Sequence, residues 1–272
     1  MSKKQFAVLI MAAVFSGIIA AVSGFAVFSV LVNNKNEAPQ PVPQAHVVET
    51  YQAVPMSAKP TEAVPVVTPE PTPESTPEPT PYVSPVNFEK LHKLNEDIYA
   101  WISITGMTID YPLLQHPTED NYYLDYTVDR VYGYPGSLYT QTKSAKDFSD
   151  YLTVIYGHNM KNGDMFGNLK DYRSADFLNS HREILIYTPE KTLNYKVFAA
   201  VVYSDELIPS IFNFSNSADR QRFIDTLNKV NDPASQILDD MDVDAEDHLL
   251  VLSTCISGEP EHRYIIVAAL QD

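Results

Sequence analysis

The sequence is poor in cysteine: Cys255 is the only one among 272 residues. An internal disulfide is therefore impossible, and so is a metal site built from cysteines. A single thiol has two common roles in a protein. It either packs as a small inert hydrophobe or, beside a base or a cation, serves as a nucleophile. The residues around Cys255 must decide between these two roles.

Cations are also scarce. Lys and Arg total 19 against 35 Asp and Glu, which gives a formal net charge of -16. Nucleic-acid binding requires clustered positive charge against the phosphates, and the sequence contains no such cluster. We therefore exclude a nucleic-acid partner. The excess of acidic residues is typical of a well-hydrated surface.

Charged side chains are missing altogether from residues 5–34, and residues 6–32 are almost wholly apolar. As a helix this run is about 40 Å long, enough to cross a hydrocarbon layer of roughly 30 Å. Lys3 and Lys4 precede it and predict a cytoplasmic N-terminus, residues 1–5. We expect an uncleaved single-pass anchor in the plasma membrane, with the rest of the chain outside. The alternative is a cleaved signal peptide, but apolar regions of signal peptides are shorter.

Residues 33–86 contain few large apolar side chains, and 13 prolines lie between Pro39 and Pro85. Proline removes backbone donors and prevents helices and sheets from propagating. Such a segment cannot bury enough apolar surface to offset the entropy of ordering. We predict an extended, disordered extracellular stalk that holds the following domain away from the membrane. A proline-rich docking peptide is the alternative.

The remaining residues, 87–272, are numerous and apolar enough for one folded domain. Helical spacing appears at 87–100, in part of 165–178 and at 220–230, where Ser217 is a plausible cap. Gly106 marks a turn between two strands within 101–114. Further strands are predicted at 138–140, 151–156, 184–188, 192–203, 249–254 and 264–270. This pattern predicts a mainly β domain, a barrel or a sandwich, with added helices.

Three residues with useful chemistry lie at the ends of predicted strands. Cys255 follows the strand 249–254, Arg263 precedes the strand 264–270, and His158 lies on a glycine-bounded polar loop after a third strand. If the first two strands are neighbours joined by a loop at 256–262, the thiol and the guanidinium lie close together. A nearby imidazole or cation favours the reactive thiolate. Each residue alone also has an ordinary explanation, for example a surface histidine or an arginine paired with a carboxylate.

Two longer segments of the sequence narrow the range of functions that the three residues could have. One runs Tyr156-Gly-His-Asn-Met-Lys-Asn-Gly-Asp-Met-Phe-Gly167, and the other runs Leu252-Ser-Thr-Cys-Ile-Ser-Gly-Glu-Pro-Glu-His-Arg-Tyr264. Together with Ile109-Asp-Tyr-Pro-Leu-Leu-Gln115 and Asn121-Tyr-Tyr-Leu124, they resemble the sortases, and class B in particular. The resemblance covers residues 88–270.

This resemblance implies a closed eight-stranded β-barrel with N-terminal helices. It also implies a helix in the long loop between the two strands that precede and carry the cysteine. The activity implied is that of a cysteine transpeptidase without a metal or other cofactor. It would cleave an Asn-Pro-x-Thr-like sorting signal near the C-terminus of a secreted protein, after the Thr. The acyl group would pass to an amine of cell-wall peptidoglycan or, in pilus assembly, to a Lys of another pilin.

The resemblance also assigns residues. Cys255 matches the nucleophile, His158 the general acid and base, and Arg263 the group that stabilises the oxyanion or holds the substrate. Secondary candidates are the backbone N–H of Ile256 as an oxyanion donor, Ser253, Thr254 and Tyr156 as groove residues, and Leu114 as an apolar wall. Class B enzymes often have an acidic residue directly after the Cys, whereas this chain has Ile256. The acidic run at 239–247 is interpreted as a solvated loop.

Two other classes of function remain open. A different cysteine hydrolase of the cell wall, or an enzyme similar to L,D-transpeptidases, would also use a thiol. The latter are expected to carry Ser-His-Gly-Cys, whereas Leu-Ser-Thr precedes Cys255. A membrane-tethered module that only binds wall peptides would need none of the three reactive residues.

Overall fold

The computed structural model describes residues 81–271, whose strands form one mixed sheet that closes on itself. The order is β5-β1-β2-β3-β4-β8-β9-β6, and β5 also pairs with β6, which closes eight strands into a barrel. The short β7 pairs with β6 outside the closed ring. The predicted eight-stranded barrel is thus confirmed. The strands are β1 Ile98–Ile104, β2 Asp110–Leu114, β3 Leu138–Tyr139, β4 Leu152–Tyr156, β5 Glu183–Tyr187, β6 Thr192–Ser204, β7 Gln236–Ile237, β8 Leu249–Ile256 and β9 Glu259–Leu270.

Short helices decorate the barrel. They are α1 Phe88–Leu94, α2 Tyr122–Asp125, a 3-10 helix Gly167–Arg173, α3 Ala175–Ser180, α4 Ile208–Ile211 and α5 Ser217–Leu227. Helices α4 and α5 lie between β6 and β8, where the resemblance placed a helix. The predicted cap of α5 was wrong: the side chain of Asn216, not Ser217, accepts the Asp219 N–H at 2.8 Å.

One or two short helices were predicted at 87–100, but the structure has a single helix there. It ends at Leu94, and Ile98–Ala100 belong to β1. The periodicity misled because all three of these residues are buried, whichever way they point from the strand. A run buried on both faces of a sheet lacks the polar alternation that identifies a strand in sequence.

The core has two parts, one on each side of the sheet. Along β8, Leu250 and Leu252 belong to one cluster, while Leu249 and Val251 belong to a second cluster that includes Phe223 of α5. Successive side chains of a strand point to opposite faces. One face of β8 packs into the first cluster, and the opposite face packs into the cluster that contains Phe223 of α5. Both faces are therefore buried, which explains why β8 is apolar without alternation.

The connection between β8 and β9 is a tight hairpin and not the predicted loop at 256–262. β8 runs to Ile256 and β9 begins at Glu259, with Gly258 at φ +84° in the turn. The register shifts between Cys255, opposite Arg263, and Ile256, opposite Glu259. The polar stretch 259–262 is exposed, so it resembled a loop although it is an extension of the strand into solvent.

Residues at the end of the predicted stalk touch the barrel. Val86 is buried, and the Tyr82 hydroxyl lies 2.8 Å from Oγ1 of Thr192. Within residues 81–271 the helices are all too short or too polar to cross a membrane. The predicted cytoplasmic segment 1–5, the anchor 6–32 and most of the stalk 33–86 lie outside the described residues.

Closure of the barrel at β5 generates a stability prediction. Ile186 is fully buried and lies between Ile102 of β1 and Leu193 of β6. Ile186→Ala is expected to lower the free energy of unfolding by about 2–5 kcal/mol, because it removes packed methylenes and leaves a cavity. Urea denaturation measures this change. The matched control Ile237→Ala changes a residue of β7 that is 37% exposed, and it should cost less than about 1 kcal/mol. Equal losses for the two variants would contradict the observed closure.

Candidate active site

Cys255 is the penultimate residue of β8, and its side chain is exposed. Across the antiparallel pair it lies opposite Arg263 of β9. On its other side β8 runs parallel to β4, with Ser253 beside Tyr156. The residues that follow Tyr156 therefore emerge next to Cys255. The barrel thus brings the predicted thiol, guanidinium and imidazole to one end of three adjacent strands.

The loop that carries His158 is fastened to β8 by hydrogen bonds. The N–H of Gly157 donates to the carbonyl of Ser253 at 3.2 Å, and the buried hydroxyl of Thr254 donates to the carbonyl of Gly157 at 2.8 Å. Gly157 has no room for a side chain, because a Cβ there would lie 2.3 Å from Cδ2 of Leu138. The glycine allows the chain to pass closely over β3 before it turns outward at His158.

Asn159 adds a link that the sequence analysis missed. Its Nδ2 donates to the backbone carbonyl of Cys255 at 2.9 Å. This bond joins the residue after the imidazole to the residue that bears the thiol. In the sequence, the only indication of this bond is that Asn159 directly follows His158. Its partner is a backbone carbonyl, which every residue has, so the sequence could not identify it.

The imidazole of His158 is held from two sides. Its Nε2 lies 3.0 Å from the backbone carbonyl of Leu124 in α2, and the ring of Tyr134 packs at 4.6 Å between centroids. Both contacts come from the segment between β2 and β3. The ring therefore has a defined orientation in spite of its position on a loop.

Arg263 is anchored by carbonyl groups. Its Nη1 donates to Pro260 at 2.9 Å and to His262 at 2.8 Å. Within residues 81–271 no carboxylate forms an ion pair with it. Its positive charge is thus not neutralised by a partner and faces the depression that contains Cys255. A guanidinium remains protonated at any relevant pH and can donate to a developing oxyanion.

The depression, which we term the groove, has a volume of about 190 Å³. Cys255, His158 and Arg263 line it together with Tyr156, Ser253 and Thr254. One wall comes from the start of the connection after β6, at residues 204–208, and another from Asn121, Leu124 and Tyr139. These walls were not predicted.

One of the secondary candidates, Leu114, lies elsewhere. Leu114 is completely buried and does not line the groove; it pairs with Tyr139, which does. The side chain of Ile256 is buried at the register shift of the hairpin. The group predicted as an oxyanion donor is its backbone N–H, and that role stays a prediction. Apolar character alone suggested a groove wall for Leu114, but the same character suits the core equally well.

A second hollow, of about 470 Å³, adjoins the groove. Its lining includes Tyr134, Asn159, Lys161 and Ser257, and it shares Cys255 and His158 with the groove. The thiol and the imidazole are therefore accessible from two directions.

The hydroxyl of Tyr156 is a buried polar atom with no hydrogen-bond partner among the residues that the structure describes. Burial raises the pKa of Tyr156 to about 12, with a smaller contribution from Asp120. At neutral pH the hydroxyl is therefore protonated and able to donate. A buried donor without a partner is costly, and this atom is shielded from the groove as well as from bulk solvent.

A thiol, an imidazole and an unpaired guanidinium around an open groove define the class of cysteine acyl-transfer enzymes. The comparison with known proteins specifies the class further. Residues 102–271 match the sortase domain family. The chain belongs to the sortases, a family of cysteine transpeptidases, and to their class B branch.

Three similar proteins illustrate the relationship. Sortase B of Listeria monocytogenes is 33% identical over 165 residues, which cover 61% of this chain and 65% of that protein, just under two thirds of its length. Sortase B of Staphylococcus aureus is 30% identical over 187 residues, 67% of this chain and 74% of that protein. The solved complex of S. aureus sortase B with its substrate has a TM-score of 0.58 at 28% identity, covering 68% of this chain and 84% of that one.

Proposed function

We propose that this protein cleaves an Asn-Pro-x-Thr-like sorting signal after the Thr and transfers the acyl group to an amine of cell-wall peptidoglycan. The observation that carries the proposal is the position of Cys255 opposite Arg263, with His158 lining the same groove. The similarity to S. aureus sortase B, solved with a substrate, supports a peptide as the acyl donor.

The chemistry follows from the three side chains. The thiol proton of Cys255 passes to His158, and the sulfur attacks the Thr carbonyl carbon to form a tetrahedral oxyanion. The guanidinium of Arg263 donates to this oxyanion. When the C–N bond breaks, His158 gives its proton to the departing amine, and a thioester remains on Cys255. The acceptor amine then attacks the thioester carbon and loses a proton to His158. The C–S bond breaks to give the new amide, and His158 returns the proton to the Cys255 sulfur.

The two hollows suit two substrates. We place the sorting signal in the groove, over Tyr156, Ser253 and Thr254. The acceptor amine then approaches from the second hollow beside Tyr134. Because both hollows reach Cys255 and His158, the amine does not have to displace the acyl chain.

The proposal includes a site of action outside the plasma membrane. Its support is the apolar run 6–32 behind Lys3 and Lys4, which suits a single-pass anchor, and the proline-rich segment 33–86 as a stalk. Secreted surface proteins or pilins that bear the signal are the proposed protein partners.

The acyl-enzyme gives the direct test of this function. Incubation with a set of Asn-Pro-x-Thr peptides is expected to add the mass of the peptide up to its Thr to the protein, on Cys255, by mass spectrometry. Cys255→Ala removes the attacking sulfur and should form no adduct. Absence of any adduct with all the peptides would contradict the proposal.

The acceptor is tested in the same reaction. A peptidoglycan stem or cross-bridge amine should discharge the adduct and yield an amide. Preferential discharge by a Lys side chain of a pilin would indicate pilus assembly. Discharge by water alone, with every amine inert, would indicate a wall hydrolase and refute transpeptidation.

A further inference from the structure

The contact between His158 and Leu124 determines which ring nitrogen can exchange a proton. Nε2 of His158 lies 3.0 Å from the carbonyl oxygen of Leu124. A carbonyl oxygen only accepts hydrogen bonds, so Nε2 must carry the hydrogen. In the neutral ring the other nitrogen, Nδ1, is then unprotonated, and it has no hydrogen-bond partner within residues 81–271. Nδ1 is the nitrogen left free to take up and deliver a proton.

The Leu124 carbonyl needs support, because α2 is a single turn of four residues. The carbonyl groups of the residues before and after Leu124 accept backbone hydrogen bonds. The Ser137 N–H donates to the carbonyl of Tyr123 at 2.9 Å, and the Gly133 N–H donates to that of Asp125 at 2.8 Å. Gly136, at φ +66°, passes so closely that a Cβ there would lie 2.2 Å from the Leu124 oxygen. The Leu124 carbonyl therefore lies against Gly136, between two residues whose carbonyl groups are fixed by backbone hydrogen bonds.

A polar cluster, buried except for Arg130, connects α2 to the segment between α1 and β1. The Tyr123 hydroxyl donates to Oδ2 of Asp97 at 2.5 Å and accepts from Nδ2 of Asn95 at 2.8 Å. Arg130 forms an ion pair with Asp97 at 3.2 Å. Tyr123 is 1% exposed, and Asn95 and Asp97 are also buried. We term these four residues the anchor cluster. Losing one partner of such a cluster leaves a buried polar group unsatisfied, so the cluster holds one arrangement strongly.

We propose that the anchor cluster is a positioning device for catalysis: it holds the Leu124 carbonyl so that His158 keeps its hydrogen on Nε2 and exchanges protons only at Nδ1. The roles in turnover rest on the proposed transpeptidation. The Cys255 proton moves to Nδ1, and the same proton leaves Nδ1 for the departing amine. Later Nδ1 takes one proton from the acceptor amine and returns one to the Cys255 sulfur. The hydrogen on Nε2 stays in place throughout.

The tautomer is measured by nuclear magnetic resonance on the full chain labelled with ¹⁵N-histidine, with His158→Asn to assign the signals. The neutral ring of His158 is expected to show its hydrogen on Nε2 and none on Nδ1. A hydrogen on Nδ1 would overturn the proposal. No substrate is present, so this result is independent of whether the transpeptidation itself is correct.

The role of the cluster is tested by Tyr123→Phe, with Tyr172→Phe as the matched control. Tyr172 is also fully buried, and its hydroxyl donates to a backbone carbonyl, that of His181, away from the groove. Tyr123→Phe should produce a mixture of the two tautomers at His158. It should also lower kcat for acylation about 10-fold while KM for the sorting peptide changes little, because correct placement of a general base is lost. Tyr172→Phe should leave both the spectrum and kcat unchanged.

Arg130→Gln provides a second variant in case Tyr123→Phe does not fold. The Arg130 side chain is 44% exposed, so its replacement removes one partner of Asp97 without opening the core. It should shift the tautomer signals and kcat in the same direction by a smaller factor. A folded variant of either kind with an unchanged His158 spectrum and an unchanged kcat would refute the positioning role.

Discussion

The pairing of β8 with β9 is the constraint on which the site depends. It places Cys255 opposite Arg263, and residues opposite each other in an antiparallel pair are separated by about 4.5–5.5 Å between Cα atoms. β8 is buried along most of its length and β9 along its second half, and the two strands lie between β4 and β6 in the closed barrel. Nucleophile and cation therefore cannot separate without opening the barrel. The core, which is remote from the chemistry, fixes the distance on which the chemistry depends.

The proposed general base, His158, lies in a less regular part of the chain than Cys255 and Arg263. His158 lies on a loop, and loops are generally more mobile than strands. Hydrogen bonds replace regular structure here: Thr254 to Gly157, Asn159 to Cys255, and His158 to Leu124. The first two connect the loop to β8, and the third connects it to α2 and the anchor cluster. The sheet thus fixes Cys255 and Arg263, whereas hydrogen bonds of side chains and backbone fix His158. The two parts of the site meet at the thiol.

The sequence was informative where side-chain chemistry and apolar runs carry the information. The runs at 249–254 and 264–270 predicted the strands, and the positions of Cys255 and Arg263 at their ends predicted that they meet. The prediction was wrong where a strand is buried on both faces, as at Ile98–Ala100, because such a strand lacks the alternation of polar and apolar residues. The support of His158 was not predictable, because a backbone carbonyl such as that of Leu124 has no residue-specific signature. Leu114 shows that apolarity cannot distinguish a groove wall from the core.

The central claim is that Cys255, His158 and Arg263 act on one acyl group held in the groove. A crystal structure of the protein acylated at Cys255 by a sorting peptide tests this claim most directly. We expect the acyl chain to lie over Tyr156 and Thr254, with the thioester oxygen about 3 Å from a donor nitrogen of Arg263. An acyl chain in the second hollow, with the guanidinium still bound only to the carbonyls of Pro260 and His262, would contradict it.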